Sequence, residues 1–186
     1  LVTYRGRHVL PVHPVEHGAQ PAQSVLASDD LVHWDLGGSV AGSDGTVTHT
    51  QPGEHQDGLI MVMREPPSPN PPAGCTDSHA QFSLSTDCGV SWSPTQPFLE
   101  VPCPTERAFF ATDSLGRYVA IFNTGEEPRT LKCRVREPRG PWGPVHDVVA
   151  PGRRHQKVDG VECAPGRFFC VFESDPSTIT FADVQF

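Results

Sequence analysis

The sequence predicts an all-β fold of the β-propeller type, and three observations carry that prediction. Twenty prolines and 17 glycines in 186 residues break the chain repeatedly into short segments. No run of ten or more residues spaces its apolar positions as a helix would, whereas short alternating or fully apolar runs recur between Pro, Gly, Asp and Ser clusters. Finally, the chain resembles itself at a period of about 50 residues, the size of a four-stranded propeller blade.

The repeat is read from four glycines, each opening an apolar strand: Gly6 before RHVLPVHP, Gly58 before LIMVMRE, Gly116 before RYVAIFN and Gly166 before RFFCVFE. Their spacings are 52, 58 and 50 residues. Asp57, Leu115 and Pro165 stand just before the last three, so each glycine is predicted to supply the positive-φ residue of a tight hairpin. A second strand follows each one: QSVLASDDLVHW ending at Trp34, QFSLSTDCGVSW ending at Trp92, LKCRVREPRGPW ending at Trp142, and ITFADVQF at the C-terminus. The blade-like units are about 1–44, 45–100, 101–150 and 151–186, within a single propeller segment. In this register the first unit is expected to lack its innermost strand and the last its outermost. The remaining blades would then come from flanking sequence or another chain, because a propeller closes by pairing its first and last strands.

A formal net charge of −8 argues against general affinity for nucleic acid or anionic membrane. Nine of the 14 Lys and Arg residues fall between Arg129 and Arg167; they read as guarded strand edges or as a local anion-binding face. Six cysteines (Cys75, Cys88, Cys103, Cys133, Cys163, Cys170) contain no C-x-x-C pair, which removes zinc-ribbon and thioredoxin-like readings. They are expected to form disulfides in an oxidising compartment, paired 75–88, 103–133 and 163–170, with a secreted or extracellular protein as the corollary; buried free thiols are the alternative. No metal site and no cofactor is expected, and no apolar stretch is long enough to insert in a membrane.

Ser85, Asp87, Gly89 and Trp92 resemble the Asp-box, S-x-D-x-G-x-x-W, of the sialidase superfamily, and Ser28, Asp30 and Trp34 resemble a degenerate copy lacking one turn residue and the glycine. The box is structural: the Asp carboxylate accepts turn amides, the glycine takes a left-handed conformation, and the Trp packs the turn onto its blade. Two further stretches are similar to the family's pattern. His49-Thr-Gln51-Pro52 with Asp57-Gly58 and a strand ending in Arg64 matches one blade; Gly116 through Asn123, followed by Arg129-Thr-Leu131, matches the next. The resemblance implies a six-bladed propeller that acts on or binds glycans.

Ligand groups in such propellers are expected where innermost strands begin. Counting nine residues back from each later hairpin glycine gives His49, Arg107 and Lys157, with Gln51, Glu54, Glu106, His155 and Asp159 nearby. These are the candidates for carbohydrate contact, against ordinary polarity at blade entrances. Arg64 and Arg129 match family positions at which an arginine can clamp a carboxylate bidentately; pairing to Glu65 or Glu127 is the structural alternative.

The resemblance fails at the catalytic set. Family sialidases use a tyrosine nucleophile activated by a glutamate, and Lys157 falls near the tyrosine's place; the two tyrosines of this chain, Tyr4 and Tyr118, match neither position. Where the family often carries an arginine ahead of its Asp-box, this chain reads Thr76-Asp-Ser-His79-Ala-Gln81-Phe. Two readings stay open: a glycoside hydrolase using Glu54, Glu106 or Asp159 as acids or bases, and a non-catalytic extracellular propeller that binds glycan or protein or serves as a structural module.

Overall fold

The computed structural model describes residues 1–12, 22–51, 56–64, 79–102, 108–123, 130–149, 155–175 and 178–186, apart from the side chains of residues 43, 44 and 102. Among these there is no helix. Fifteen strands form four antiparallel sheets in chain order. The first is β1 (Val2–Tyr4), β2 (Arg7–Val12), β3 (Ala22–Ser28) and β4 (Asp35–Ala41). The second is β5 (Ser43–His49), β6 (Leu59–Arg64), β7 (His79–Ser85) and β8 (Gln96–Pro102). The third is β9 (Phe109–Thr112), β10 (Tyr118–Asn123), β11 (Leu131–Arg136) and β12 (His146–Asp147), and the fourth is β13 (His155–Ala164), β14 (Arg167–Ser174) and β15 (Thr178–Gln185). Each sheet is a meander whose strands lie in sequence order, as blades do. The sequence expectation is corrected at one point: Val2–Tyr4 pairs with Arg7–Val9, so the first sheet does have an innermost strand.

Successive sheets pack face to face, and this explains why the second strands of the two central sheets are apolar throughout rather than alternating. In β6, Leu59, Met61 and Met63 join Tyr4, Val9 and Val25 of the first sheet, whereas Ile60 and Val62 turn the other way to join Phe110, Tyr118, Ala120 and Phe122 of the third. In β10, the intervening Val119 and Ile121 pack with Val158, Phe168, Cys170 and Phe172 of the fourth. Both sides of these strands are buried because the second and third sheets each have a neighbour on both sides.

Polar clasps fix the junctions at the hairpin end. The Tyr4 hydroxyl donates to the Asp57 carbonyl at 2.9 Å, joining sheets one and two. Between sheets two and three, the Gln51 backbone N–H donates to the Tyr118 hydroxyl at 2.9 Å, and the fully buried Gln51 carboxamide donates to the carbonyls of Arg136 at 2.8 Å and Gly116 at 3.3 Å. Ser114 donates its N–H and hydroxyl to the Glu162 carboxylate, at 2.8 and 2.9 Å, joining sheets three and four.

Three of the four hairpin glycines are left-handed: Gly6 at φ 81°, Gly116 at 78° and Gly166 at 70°. With Arg5 at φ 50°, Gly6 completes a two-residue type I′ turn between the paired Tyr4 and Arg7. Gly58 departs from the expectation, having no such φ. Glycine is required there by proximity, since a Cβ would lie 2.4 Å from the Ser85 carbonyl oxygen.

The Asp-box forms as its chemistry demands. The Asp87 carboxylate accepts the Ser91 N–H at 2.9 Å, the Ser91 hydroxyl at 2.5 Å and the Ser85 hydroxyl at 2.8 Å, while Gly89 N–H donates to Ser85 Oγ at 2.9 Å. Trp92 packs against the core between sheets one and two, and Gly38 N–H donates to the Gly89 carbonyl at 2.8 Å, fastening the turn to β4. The degenerate copy folds alike: Asp30 Oδ1 accepts the N–H groups of Val32 and His33, and its Oδ2 lies 2.7 Å from His33 Nδ1. Leu31, at φ 64°, takes the left-handed place with no glycine to ease it. Burial pushes the Asp87 carboxyl upward, but the hydrogen bonds from Ser91 and Ser85 outweigh it and leave it below its usual range. A depressed folded value means that the contribution is present above the unfolded value near pH 4 and is lost as pH falls through the folded one. Asp87→Ala is expected to lower stability by about 1 kcal/mol at pH 7, discounted for the exposure of the site. The urea midpoint should show a deficit that closes toward pH 2.

The cysteines correct the sequence reading. Cys88, Cys133, Cys163 and Cys170 are all free thiols, whereas Cys75 and Cys103 lie outside the described residues. The 163–170 bridge fails on register: Cys170 is paired with Gly160 and points into the core, while Cys163 is exposed, with its thiol donating to the Arg167 carbonyl at 3.3 Å. Burial pushes the Cys133 thiol up to about 11 and the Cys170 thiol up to about 12. A maleimide at pH 7 is therefore expected to label Cys163 rapidly and to leave Cys133 and Cys170 unlabelled until the protein is denatured. Peptide mapping checks this.

Candidate functional site

The clasps show which ends of the inner strands meet. The Thr112 N–H donates to Thr48 Oγ1 at 2.8 Å and the Thr112 hydroxyl donates to the His49 carbonyl, so β5 and β9 finish side by side. Tyr4 lies edge-on to His49 at 6.0 Å and Ser114 reaches Glu162, which puts the ends of β1 and β13 on the same side. All four hairpins thus lie on one face. The starts of β5, β9 and β13 and the finishes of β2, β6, β10 and β14 lie on the other, here termed the entry face.

At the entry face β13 provides the best-defined polar group. His155 is buried, 2.8 Å through Nδ1 from Ser174 Oγ and edge-on to Phe172 at 5.2 Å. The strand then bulges between Gln156 and Asp159, and Lys157 adopts φ 52° inside the bulge. A bulge re-aims side chains, and a left-handed lysine is strained backbone of the kind that collects at ligand sites. Lys157 Nζ lies 3.2 Å from Glu173 Oε1, and Gln156 Nε2 donates to Glu173 Oε2 at 3.0 Å. The Gln156 amide first, then Lys157, holds the Glu173 carboxyl below its usual range. A cation, an amide and a carboxylate are thereby gathered next to the buried His155–Ser174 pair along the strands, with Lys157 well exposed and Gln156 and Glu173 half-buried.

The other sequence candidates are distributed. Arg64 ends β6 at the entry face, opposite Ser43 and Ala80. His49 sits at the hairpin end instead, because the connection from Thr50 to Gly58 is longer than a tight turn and nine residues span it before reaching the strand's start. Gln51 is a junction strut with its amide spent on two carbonyls. Asp159 is exposed, accepts Gly160 N–H at 2.8 Å, and borders an axial cavity of about 420 Å³ that residues of all four sheets line, including Thr46, Phe109 and Glu162. Glu54, Glu106, Arg107 and Arg129 lie outside the described residues. Glu173, Gln156 and Ser174 were not singled out from the sequence; the signal for them is the register His155↔Ser174 and Gln156↔Glu173, which puts the end of each second strand beside the start of the first. Among the described residues no three His, Cys, Asp or Glu side chains gather as a metal site would require, and no helix is long and apolar enough to cross a membrane.

No family model matches the sequence, and no curated protein matches it. Solved structures do. The intramolecular trans-sialidase from Ruminococcus gnavus, in complex with oseltamivir carboxylate, superimposes at TM-score 0.67 with 12% identity over 96% of this chain and 40% of its own. Trypanosoma rangeli sialidase gives 0.66 with 14% identity, over 97% and 30%. The α-L-arabinanase of Penicillium chrysogenum, complexed with arabinobiose, gives 0.64 with 13% identity, over 97% and 59%. The chain therefore spans less than two thirds of each of these proteins. With four successive sheets packed about one axis and these neighbours, its fold is that of the sialidase-type β-propeller.

Proposed function

We propose that this chain is the glycan-binding part of an extracellular, six-bladed sialidase-type propeller, and that it binds sugar at the entry face without the chemistry of a sialidase. The observation that carries the reading is the Lys157–Glu173–Gln156 group at the bulged start of β13. It offers donors and an acceptor together, which suits the hydroxyls of a neutral sugar better than a carboxylate. Arg64, Arg107 and Arg129 are the further candidates for contact around it. The fold likeness to structures holding oseltamivir carboxylate and arabinobiose supports a sugar-sized ligand. Hydrolysis would need a second carboxylate at glycosidase separation from Asp159 or Glu173, and Glu54 and Glu106 are the candidates for it.

A glycan array followed by titration of the hits tests this. Neutral oligosaccharides are expected to bind, and Lys157→Ala or Glu173→Gln to weaken binding roughly 10- to 100-fold, the equivalent of one or two charge-assisted hydrogen bonds. Since Lys157 is exposed and the Glu173 side chain keeps about a third of its surface in solvent, the melting temperature should change little. Absence of binding to any glycan, or binding indifferent to both substitutions, would remove the reading.

A further inference from the structure

A cavity of about 190 Å³ lies away from the entry face, at the hairpin end of the junction between sheets two and three, both of them four-stranded. Ile60, Phe82 and Phe98 line it from the second sheet, and the paired Tyr118 and Arg136 line it from the third. Ile60 and Tyr118 are fully buried and Phe98 is nearly so, whereas Glu100 is exposed and marks the mouth.

The outer strand of the second sheet leaves this space open. β8 slips in register against β7 between His79↔Pro102 and Ala80↔Phe98. Phe98 turns inward, edge-on to Phe82 at 5.4 Å and to Trp142 at 6.0 Å. Arg134 then spans the rim: its Nη1 donates to the Glu100 carbonyl at 3.0 Å, its Nε and Nη2 donate to the Gly143 carbonyl at 3.3 and 3.1 Å, and its guanidinium lies 5.3 Å over the Trp142 ring. Held through a side chain as long as arginine, β8 and β11 stay apart there. The two charges at the cavity differ in what they already bind. Arg136 donates Nε to the Gly140 carbonyl at 2.8 Å, whereas among the described residues the Glu100 carboxylate has no partner.

We propose that this lateral cavity is a binding site for a small aromatic amine, with one six-membered ring among Phe82, Phe98 and Tyr118 and a short ammonium arm reaching Glu100. Volume sets the size, since an apolar cavity of about 150 Å³ takes up a benzene ring. The aromatic walls set the shape, because edge-to-face packing favours a further ring. The uncommitted carboxylate sets the charge, attracting a cation and repelling an acid, and the ring faces add to that preference. None of this depends on which ligand the entry face takes.

Ligand-observed nuclear magnetic resonance with the full natural protein tests the proposal, with phenethylamine, neutral phenethyl alcohol and anionic hydrocinnamate as probes. The amine is expected to receive saturation from the protein, to bind with a dissociation constant on the order of 1 mM, and to show Overhauser contacts between its ring and the Ile60 methyl groups. The alcohol should bind about three- to ten-fold more weakly, and the acid more weakly still. Glu100→Gln, at an exposed position, should bring the amine down to the level of the alcohol without moving the melting temperature. Lys157→Ala, at the entry face, should leave amine binding as it is. No saturation transfer to the amine, equal binding of the three probes, or a preference for the acid overturns the proposal. So does amine binding that survives Glu100→Gln, that is lost in Lys157→Ala, or that makes no contact with Ile60.

Discussion

A fluorogenic sialoside incubated with this protein is expected to be hydrolysed no faster than in buffer. The sialidase route needs a tyrosine oxygen free to attack the anomeric carbon and a glutamate to take its proton. The chain's two tyrosines are both buried, and both hydroxyls are bound into blade junctions, Tyr4 to Asp57 and Tyr118 to Gln51. The inner-strand position that the family resemblance assigns to the nucleophile holds Lys157, engaged with Glu173. Ahead of the Asp-box, where the family often has an arginine, the described positions are His79, Ala80 and Gln81. Loss of a covalent nucleophile removes the whole covalent pathway, and loss of one clamp arginine removes roughly 1.5–3 kcal/mol of charge-assisted binding. Steady turnover above background, measured with a sialoside of known purity, would show that another residue performs the attack.

The second large effect is on stability. Phe110 is 2% exposed and lies at the centre of the junction between sheets two and three, with ring centroids 5.5 Å from Phe98, 4.9 Å from Tyr118 and 6.5 Å from Trp142. Phe110→Ala removes the ring from a layer in which Phe98 and Trp142 pack on each other and the Tyr118 hydroxyl is fixed by the Gln51 N–H, so collapse into the void is hindered. The expected loss is about 3–5 kcal/mol, against a total of about 5–15 kcal/mol for an ordinary domain. Denaturant unfolding should show a midpoint reduced by at least about a fifth. A variant within 1 kcal/mol of the parent, on that same order-of-magnitude scale, would mean that the two sheets do not share this core.

Much of the architecture was legible because blades repeat. LIMVM and YVAIF announce strands buried on both faces, and the order of glycine, strand, turn and tryptophan recurs in the sequence as it does in the sheets. What escaped sequence reasoning depended on connection length and register. Counting back a fixed number of residues finds the entry-face end of β13 at Lys157 but the wrong end of β5 at His49, since the Thr50–Gly58 connection is longer than the Pro165–Gly166 turn. Gln51 reads as a ligand group from its neighbours in sequence, yet its partners Gly116 and Arg136 are distant along the chain and only the sheet packing brings them together. Glu173 was passed over because its role comes from cross-strand pairing with Gln156. The cysteines misled for a related reason: short separation between Cys163 and Cys170 suggests a bridge, but pleating directs the two thiols to different environments.

Methyl-resolved nuclear Overhauser spectroscopy on the 20.2 kDa chain tests the arrangement most directly. Contacts are expected within three separate sets: Val9 and Val25 with Leu59 and Met61; Ile60 and Val62 with Ala120; and Val119, Ile121 and Leu131 with Val158. Sets from the first and last junctions should show none with each other. Cross-peaks joining Val9 or Val25 to Val119 or Ile121 would place the first and third sheets face to face, as in a sandwich, and would contradict the propeller.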